Sequence, residues 1–364
     1  MRSVRGMRIV TSAVVAGGLV LGAAACGEAP KDENAAGGTG GKKYTACMVT
    51  DLGGIDDKSF NTSAWAGLEA AKKANDNIDI KYVASKAEAD YEVNLTGYVN
   101  QKCDFILAVG GLMEKATKKA AEANPKQQFG IVDANPGVDN IYPMQFDTTQ
   151  AAFQAGYLAA GMSKTGKVGT YGAIPIPPVT IFMDGFADGV AYYNQAKGKN
   201  VQLLGWDKAT QKGSFSNSFE KQDDGKKVSD ALVAQGADII MPVAGGAGLG
   251  TTAAAQASGG KYSAIWVDAD GCESTPNCPA LLTTVVKNIQ DAVKEAVLKA
   301  ANGEQLAAKP GYVGTLANNG VSLAPYHEFD SKVPAELKSE VDKIKADIAA
   351  GTIKVTSKAQ PTTE

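Results

Sequence analysis

The stretch TDLGGIDDKSFNTSAWAGLEAA, residues 50–71, decides how the rest of the chain is read. It follows a β-like apolar run, Tyr44–Val49, and leads into a helical pattern from Ser63 to Lys73 with apolar positions three and four apart. Between them stand two glycines, three acids and a bare phenylalanine, a turn that is polar and aromatic at once. Outward from it the same alternation continues. Strands are expected at Ile78–Val83, Phe105–Val109, Phe129–Val132 and Ile141–Phe146, with helices at 87–101 and 113–123. It then restarts with a helix at 148–162. Strands follow at Val168–Tyr171, Val201–Leu204, Asp238–Val243 and Ala264–Val267, with helices at 180–195, 217–235 and 249–257. A further strand, Leu281–Val286, precedes a helix at 288–301, strand-like segments near 312–324 and a last helix at 333–349. Short apolar strands alternating with helices imply parallel sheets covered on both faces. Two consecutive runs of about a hundred residues each predict an α/β protein of two lobes rather than one barrel.

Composition narrows the function classes. A formal net charge of −3 over 364 residues leaves no basic stripe for a phosphate backbone, so nucleic acid is not an expected partner. The first 26 residues stand apart. Arg2, Arg5 and Arg8 precede an uncharged run, Ile9 to Ala25, that ends at Cys26. This is a secretory signal, and it resembles that of a bacterial lipoprotein, in which Cys26 would be fatty-acylated and become the new N-terminus. Residues 27–41, GEAPKDENAAGGTGG, offer little to bury and read as a tether. Export suits disulfides for the four remaining cysteines. Cys272 and Cys278 close a small loop and are expected to pair, leaving Cys47 for Cys103, although three connectivities are open to four cysteines. With one histidine, His327, and no C-x-x-C, no metal site is expected.

Chemistry in such a fold belongs in the loops that leave the carboxyl ends of strands. Here those loops are Asp51, VGG 109–111, VDAN 132–135, IPIPPVTIF 174–182, VAGGAGLG 243–250 and VDADG 267–271. Catalysis finds little support among them. No G-x-S-x-G elbow occurs, His327 is far from any candidate nucleophile, and the glycine run 245–250 lacks the Lys-Ser/Thr of a phosphate loop. No cofactor is expected. A binding protein needs instead a few aimed polar groups and flat apolar faces. Asp51, Asn61, Asp133 and Asp268 are short polar side chains at strand or helix ends, while Phe60 and Phe182 open helices that follow such ends. Asp268 can accept from a diol, and Lys287 can donate to the same pair of hydroxyls. Each has a plainer role open to it: Asp51 or Asn61 as helix caps, Phe186 as core, Asp133 and Asp268 as loop acceptors, Lys287 as partner of a surface acid.

DLGGIDDKSFNTSAWAG resembles the signature of the basic membrane lipoproteins, the PnrA-like purine nucleoside receptors of ABC importers. The likeness continues through FGIVDAN (129–135), residues 144–190, GADIIMPVAGGAGLG (236–250), WVDADG (266–271), TTVVKNIQDAV (283–293) and IAAGTIKV (348–355). It implies a two-lobed periplasmic-binding-protein fold of the first type, each lobe a parallel sheet flanked by helices. The lobes would be 42–147 with 286–311, and 148–285 with 312–355, followed by a tail at 356–364. It also implies a purine nucleoside in the cleft. Phe60 and Phe182 would stack on the base, with Asn61 and Asp133 reading its edge and Asp51 supporting them. Asp268 and Lys287 would hold the ribose, helped by backbone groups at Gly245 and Gly246. The expected setting is a lipid-anchored monomer on the extracytoplasmic face that serves a membrane permease. A sugar receptor, or a nucleoside sensor without transport, is the alternative.

Overall fold

The structure is a computed structural model that describes residues 43–306 and 308–361. The expected signal, Cys26 and the tether lie outside them. Chain order begins β1 (Tyr44–Thr50), α1 (Phe60–Ala74), β2 (Ile78–Ala84), α2 (Asp90–Asn100), β3 (Phe105–Val109), α3 (Glu114–Ala123), β4 (Gln128–Val132) and β5 (Ile141–Phe146). It continues α4 (Thr149–Met162), β6 (Lys167–Gly172), α5 (Pro177–Lys197), β7 (Gln202–Leu204), β8 (Trp206–Asp207), β9 (Lys212–Gly213), α6 (Gln222–Ala234) and β10 (Ile239–Val243). It ends α7 (Leu249–Ala257), β11 (Ser263–Asp268), α8 (Gly271–Ser274), β12 (Leu281–Lys287), α9 (Ile289–Ala301), β13 (Tyr312–Gly314), β14 (Val321–Leu323) and α10 (Ala335–Ala349).

The strands form two six-stranded sheets, β13-β5-β4-β3-β1-β2 and β14-β12-β11-β10-β6-β7. Within these two sheets all pairings are parallel except β12 with β14, and β8 and β9 form a separate antiparallel pair. Read from the far edge, each sheet repeats one order: second strand, first, third, fourth, fifth. Such sheets bind ligands where the order reverses, at the carboxyl ends of the first and third strands. Both faces of the sheets are covered, so β1, β3 and β10 are uninterrupted apolar runs, buried from Ala46 to Val49, Phe105 to Val109 and Ile239 to Val243.

Helix starts are set locally. Asp57 accepts from the backbone N–H groups of Ser59, Asn61 and Thr62 at 2.8–3.0 Å, which satisfies the free amides at the head of α1. Capping, considered for Asp51 or Asn61, thus falls to Asp57. Pro177 opens α5, where a missing N–H costs nothing. Cys47 is joined to Cys103 and Cys272 to Cys278.

The chain passes from one sheet to the other after Phe146, after Lys287 and after Gly314. The last of these differs from the expected passage near Gly311, because Tyr312–Gly314 pairs with Met144–Phe146 before the chain leaves the first sheet. The segment beyond Val355 is also no loose tail as far as residue 360. Ser357 Oγ donates to Asp184 at 2.6 Å, and Gln360 Nε2 donates to Asp147 at 3.1 Å, beside the first passage. None of the described helices is long and apolar enough to cross a membrane.

Candidate functional site

The carboxyl ends of both sheets face one cavity. Asp51 enters it directly after β1, and Gly53 and Gly54, at φ 118° and 71°, turn the chain back into α1. Phe60 and Asn61, the first two residues of α1, are thereby aimed inward. Gly110 follows β3 at φ 118°. A side-chain carbon there would stand 2.0 Å from Asp51 Oδ2, so only glycine lets the carboxyl lie against the end of β3. Asp133 follows β4 and Asp268 ends β11, and both adopt left-handed backbone, φ 63° and 68°. Non-glycine residues rarely do so, and held backbone of this kind clusters at binding sites.

Lys287, the last residue of β12, is 3% exposed. Its ammonium lies 2.6 Å from Asp133 Oδ2 and 3.6 Å from Asp268 Oδ1. It is also 5.0 Å from the ring centres of both Phe60 and Phe182. Burial works against its charge, but the two acids outweigh burial and hold the ammonium above its usual range. Asp51 is the opposite case. Burial drives its carboxyl well above the usual carboxylate range. The hydrogen bond from Asn61 works against this, and the charges of Asp57 and Asp133 add to it. Asn61 Nδ2 donates to Asp51 Oδ1 at 3.1 Å, while Asn61 Oδ1 is buried and meets no donor. A buried acceptor left open in this way asks for a donor from a guest.

The lobes touch across this cavity. Ser59 Oγ donates to Asp268 Oδ2 at 2.6 Å, Trp266 Nε1 donates to the Lys58 carbonyl at 3.2 Å, and the Gly53 N–H donates to Glu220 at 3.2 Å. Of the nine expected ligand-contacting residues, eight line the cavity; Gly246 does not. The short turn 245–248 carries Gly246 against the Phe219 carbonyl and Asp57 instead. Phe182 lies at the cavity but is 1% exposed, with one ring face under Lys287. Phe186 is core.

Phe219 lines the cavity too and was not expected there. The helix predicted from 217 starts at Gln222, and residues 214–221 form a loop. Backbone bonds bind that loop to Gly172 and Ala173, and Asn217 sits at φ 56°. SFSNSF, 214–219, has the serine and asparagine density of a loop, which was the available signal. Outside the cavity lining, Asp270, Cys272 and His327 lie close together, but the Cys272 sulfur is bonded to Cys278 and His327 Nε2 pairs with Asp270 at 2.7 Å.

Two lobes with a polar, aromatic-lined cavity at the facing strand ends define a solute receptor of the type I periplasmic-binding-protein class. An Aeropyrum pernix ABC transporter solute-binding protein superposes with a TM-score of 0.76 at 23% identity, covering 85% of this chain and 92% of that one. The chain belongs to the PnrA-like family of ABC transporter substrate-binding proteins, whose profile matches residues 44–358. It is therefore a transporter's binding component and not an enzyme. A Listeria monocytogenes protein named CD4+ T-cell-stimulating antigen is 31% identical, over 97% of this chain and 99% of its own length. The ABC transporter nucleoside-binding protein BmpA of Lactococcus lactis is 30% identical, over 89% and 93% respectively.

Proposed function

We propose that this protein captures a purine nucleoside between its lobes, closes on it, and presents the closed form to a membrane permease while held at the extracytoplasmic face by a lipid on Cys26. The observation that carries the reading is the buried, partnerless Asn61 Oδ1 beside Asp51, in a cavity walled by phenylalanines and holding Lys287 with Asp268. A base edge supplies the missing donor, an aromatic wall suits its face, and a ribose diol suits a carboxylate beside an ammonium. Phe60 serves one face of the base. Phe219, half-buried and standing free of Lys287, serves the other together with Phe182. The 30% identical BmpA of Lactococcus lactis, named as nucleoside-binding, supports the ligand class.

Closure follows from the bonds that already span the cleft, Ser59 to Asp268 and Lys287 to Asp133. A guest that contacts both lobes favours the closed form by those contacts. Phosphate is excluded by charge, because the cavity's one ammonium among the described residues, Lys287, is already engaged by Asp133 and Asp268. Calorimetry against adenosine, guanosine, adenosine monophosphate and free pentoses and hexoses tests this. The nucleosides bind and the monophosphate and sugars do not; a monophosphate that bound as tightly, or a sugar that bound alone, would defeat the reading.

A further inference from the structure

Asp51 and Asn61 together read more than the presence of a base. Asn61 uses its amide nitrogen on Asp51 Oδ1 and keeps Oδ1 open, so it can only accept from the guest. What Asp51 offers beside it depends on its proton. Among the described residues the cavity has one cation, Lys287, and that is engaged by Asp133 and Asp268. The other groups that face Asp51 are Asp57 in its own turn, Tyr91 of α2 and Asp133 after β4, none of them cationic. Asp51 itself is 7% exposed and lies flat against Gly110. A carboxylate so enclosed, among further acids and without a cation, is costly, and taking up a proton removes the cost.

We propose that Asp51 is a specificity residue acting as a carboxylic acid: its O–H donates to a ring nitrogen while Asn61 Oδ1 accepts from the exocyclic amine beside it, so the cleft selects the 6-aminopurine edge. This rests on the nucleoside reading above. Adenine presents an acceptor next to the N6 donor, whereas the N7 and O6 atoms of guanine are two acceptors. An ionised Asp51 beside Asn61 Oδ1 would offer acceptors only and would repel a bare ring nitrogen. The sign of the pH dependence follows. A carboxyl group raised in the closed cleft favours closure while it is protonated. That advantage declines as pH climbs from the ordinary carboxylate range through the raised value.

Adenosine binding to the full chain, measured by calorimetry from about pH 5 to about pH 9 in buffers of differing ionisation enthalpy, tests this. The expected result is an affinity that falls toward about tenfold per pH unit as pH climbs above the ordinary carboxylate range and levels off once the raised value is passed, with proton uptake along the fall visible as buffer-dependent heat. Asp51→Asn removes both the pH dependence and the proton uptake. Wild-type affinity that is flat or rises with pH, with guanosine preferred, would make Asp51 a carboxylate acceptor and overturn the inference while leaving the nucleoside reading intact. Failure of every nucleoside to bind at any pH would end both.

Discussion

Val132-Asp133-Ala134 and Val267-Asp268-Ala269 are the same device in two places. Each ends the fourth strand of its sheet in the repeated order, and each holds its aspartate in left-handed backbone. Their partners differ. Asp133, in the first lobe, takes an ammonium from the second lobe at 2.6 Å. Asp268, in the second lobe, takes a hydroxyl from the first, Ser59 Oγ at 2.6 Å, and has the same ammonium at 3.6 Å. Topology therefore places both acids, while one lysine decides which is neutralised. Each acid is also satisfied by a donor that belongs to the opposite lobe, so the closure proposed above would pair both at once.

Removing the lysine breaks the difference most severely. Lys287→Met leaves Asp133 buried and uncompensated, and urea unfolding should show a loss of about 3–5 kcal/mol. A loss below about 1 kcal/mol would mean that Asp133 does not depend on the pair. Asp268→Ala tests the other turn through the ligand. Ribonucleoside affinity should fall by about 2–4 kcal/mol in calorimetry, and deoxyribonucleoside affinity by less, because one hydroxyl is already missing. Equal losses would take the diol away from Asp268. Ser59→Ala is the mildest change. It removes a hydroxyl that reaches Asp268 from the opposite lobe, and should weaken binding by about 0.5–1.5 kcal/mol. If the same change lowered the unfolding midpoint of the empty protein instead, Ser59 would be part of the standing fold rather than of closure.

Much of this was open to reading in the chain. The uninterrupted apolar runs at 46–49, 105–109 and 239–243 admit few places except strands covered on both faces. Once these are parallel, the residues that follow them must face the cleft, which is why Asp51, Asp133 and Asp268 could be picked out by position. Three things were not legible, each for a tertiary reason. Gly246 looked as available as Gly245, but a one-turn helix rotates it out of the wall. The passage between lobes near 311 shifted because three residues found a partner in β5. The serine and asparagine density of 214–219 is a local loop signal that the α6 pattern outweighs in the sequence, and the bonds of Ser214, Ser216 and Asn217 to Gly172 and Ala173 decide against the helix. Phe219 was lost with that loop.

The same loop has an evolutionary consequence. Residues 214–219 hang from main-chain bonds, with Ser214, Ser216 and Asn217 tied to strand-end and turn backbone and the Phe219 carbonyl tied to the Ala247 amide. Main-chain anchors tolerate any side chain that fits the space. The aromatic face that Phe219 lends the cavity can thus be exchanged like a cassette, with neither sheet nor the two aspartate turns disturbed, and a lineage shifting from one cargo to another would find its cheapest route there.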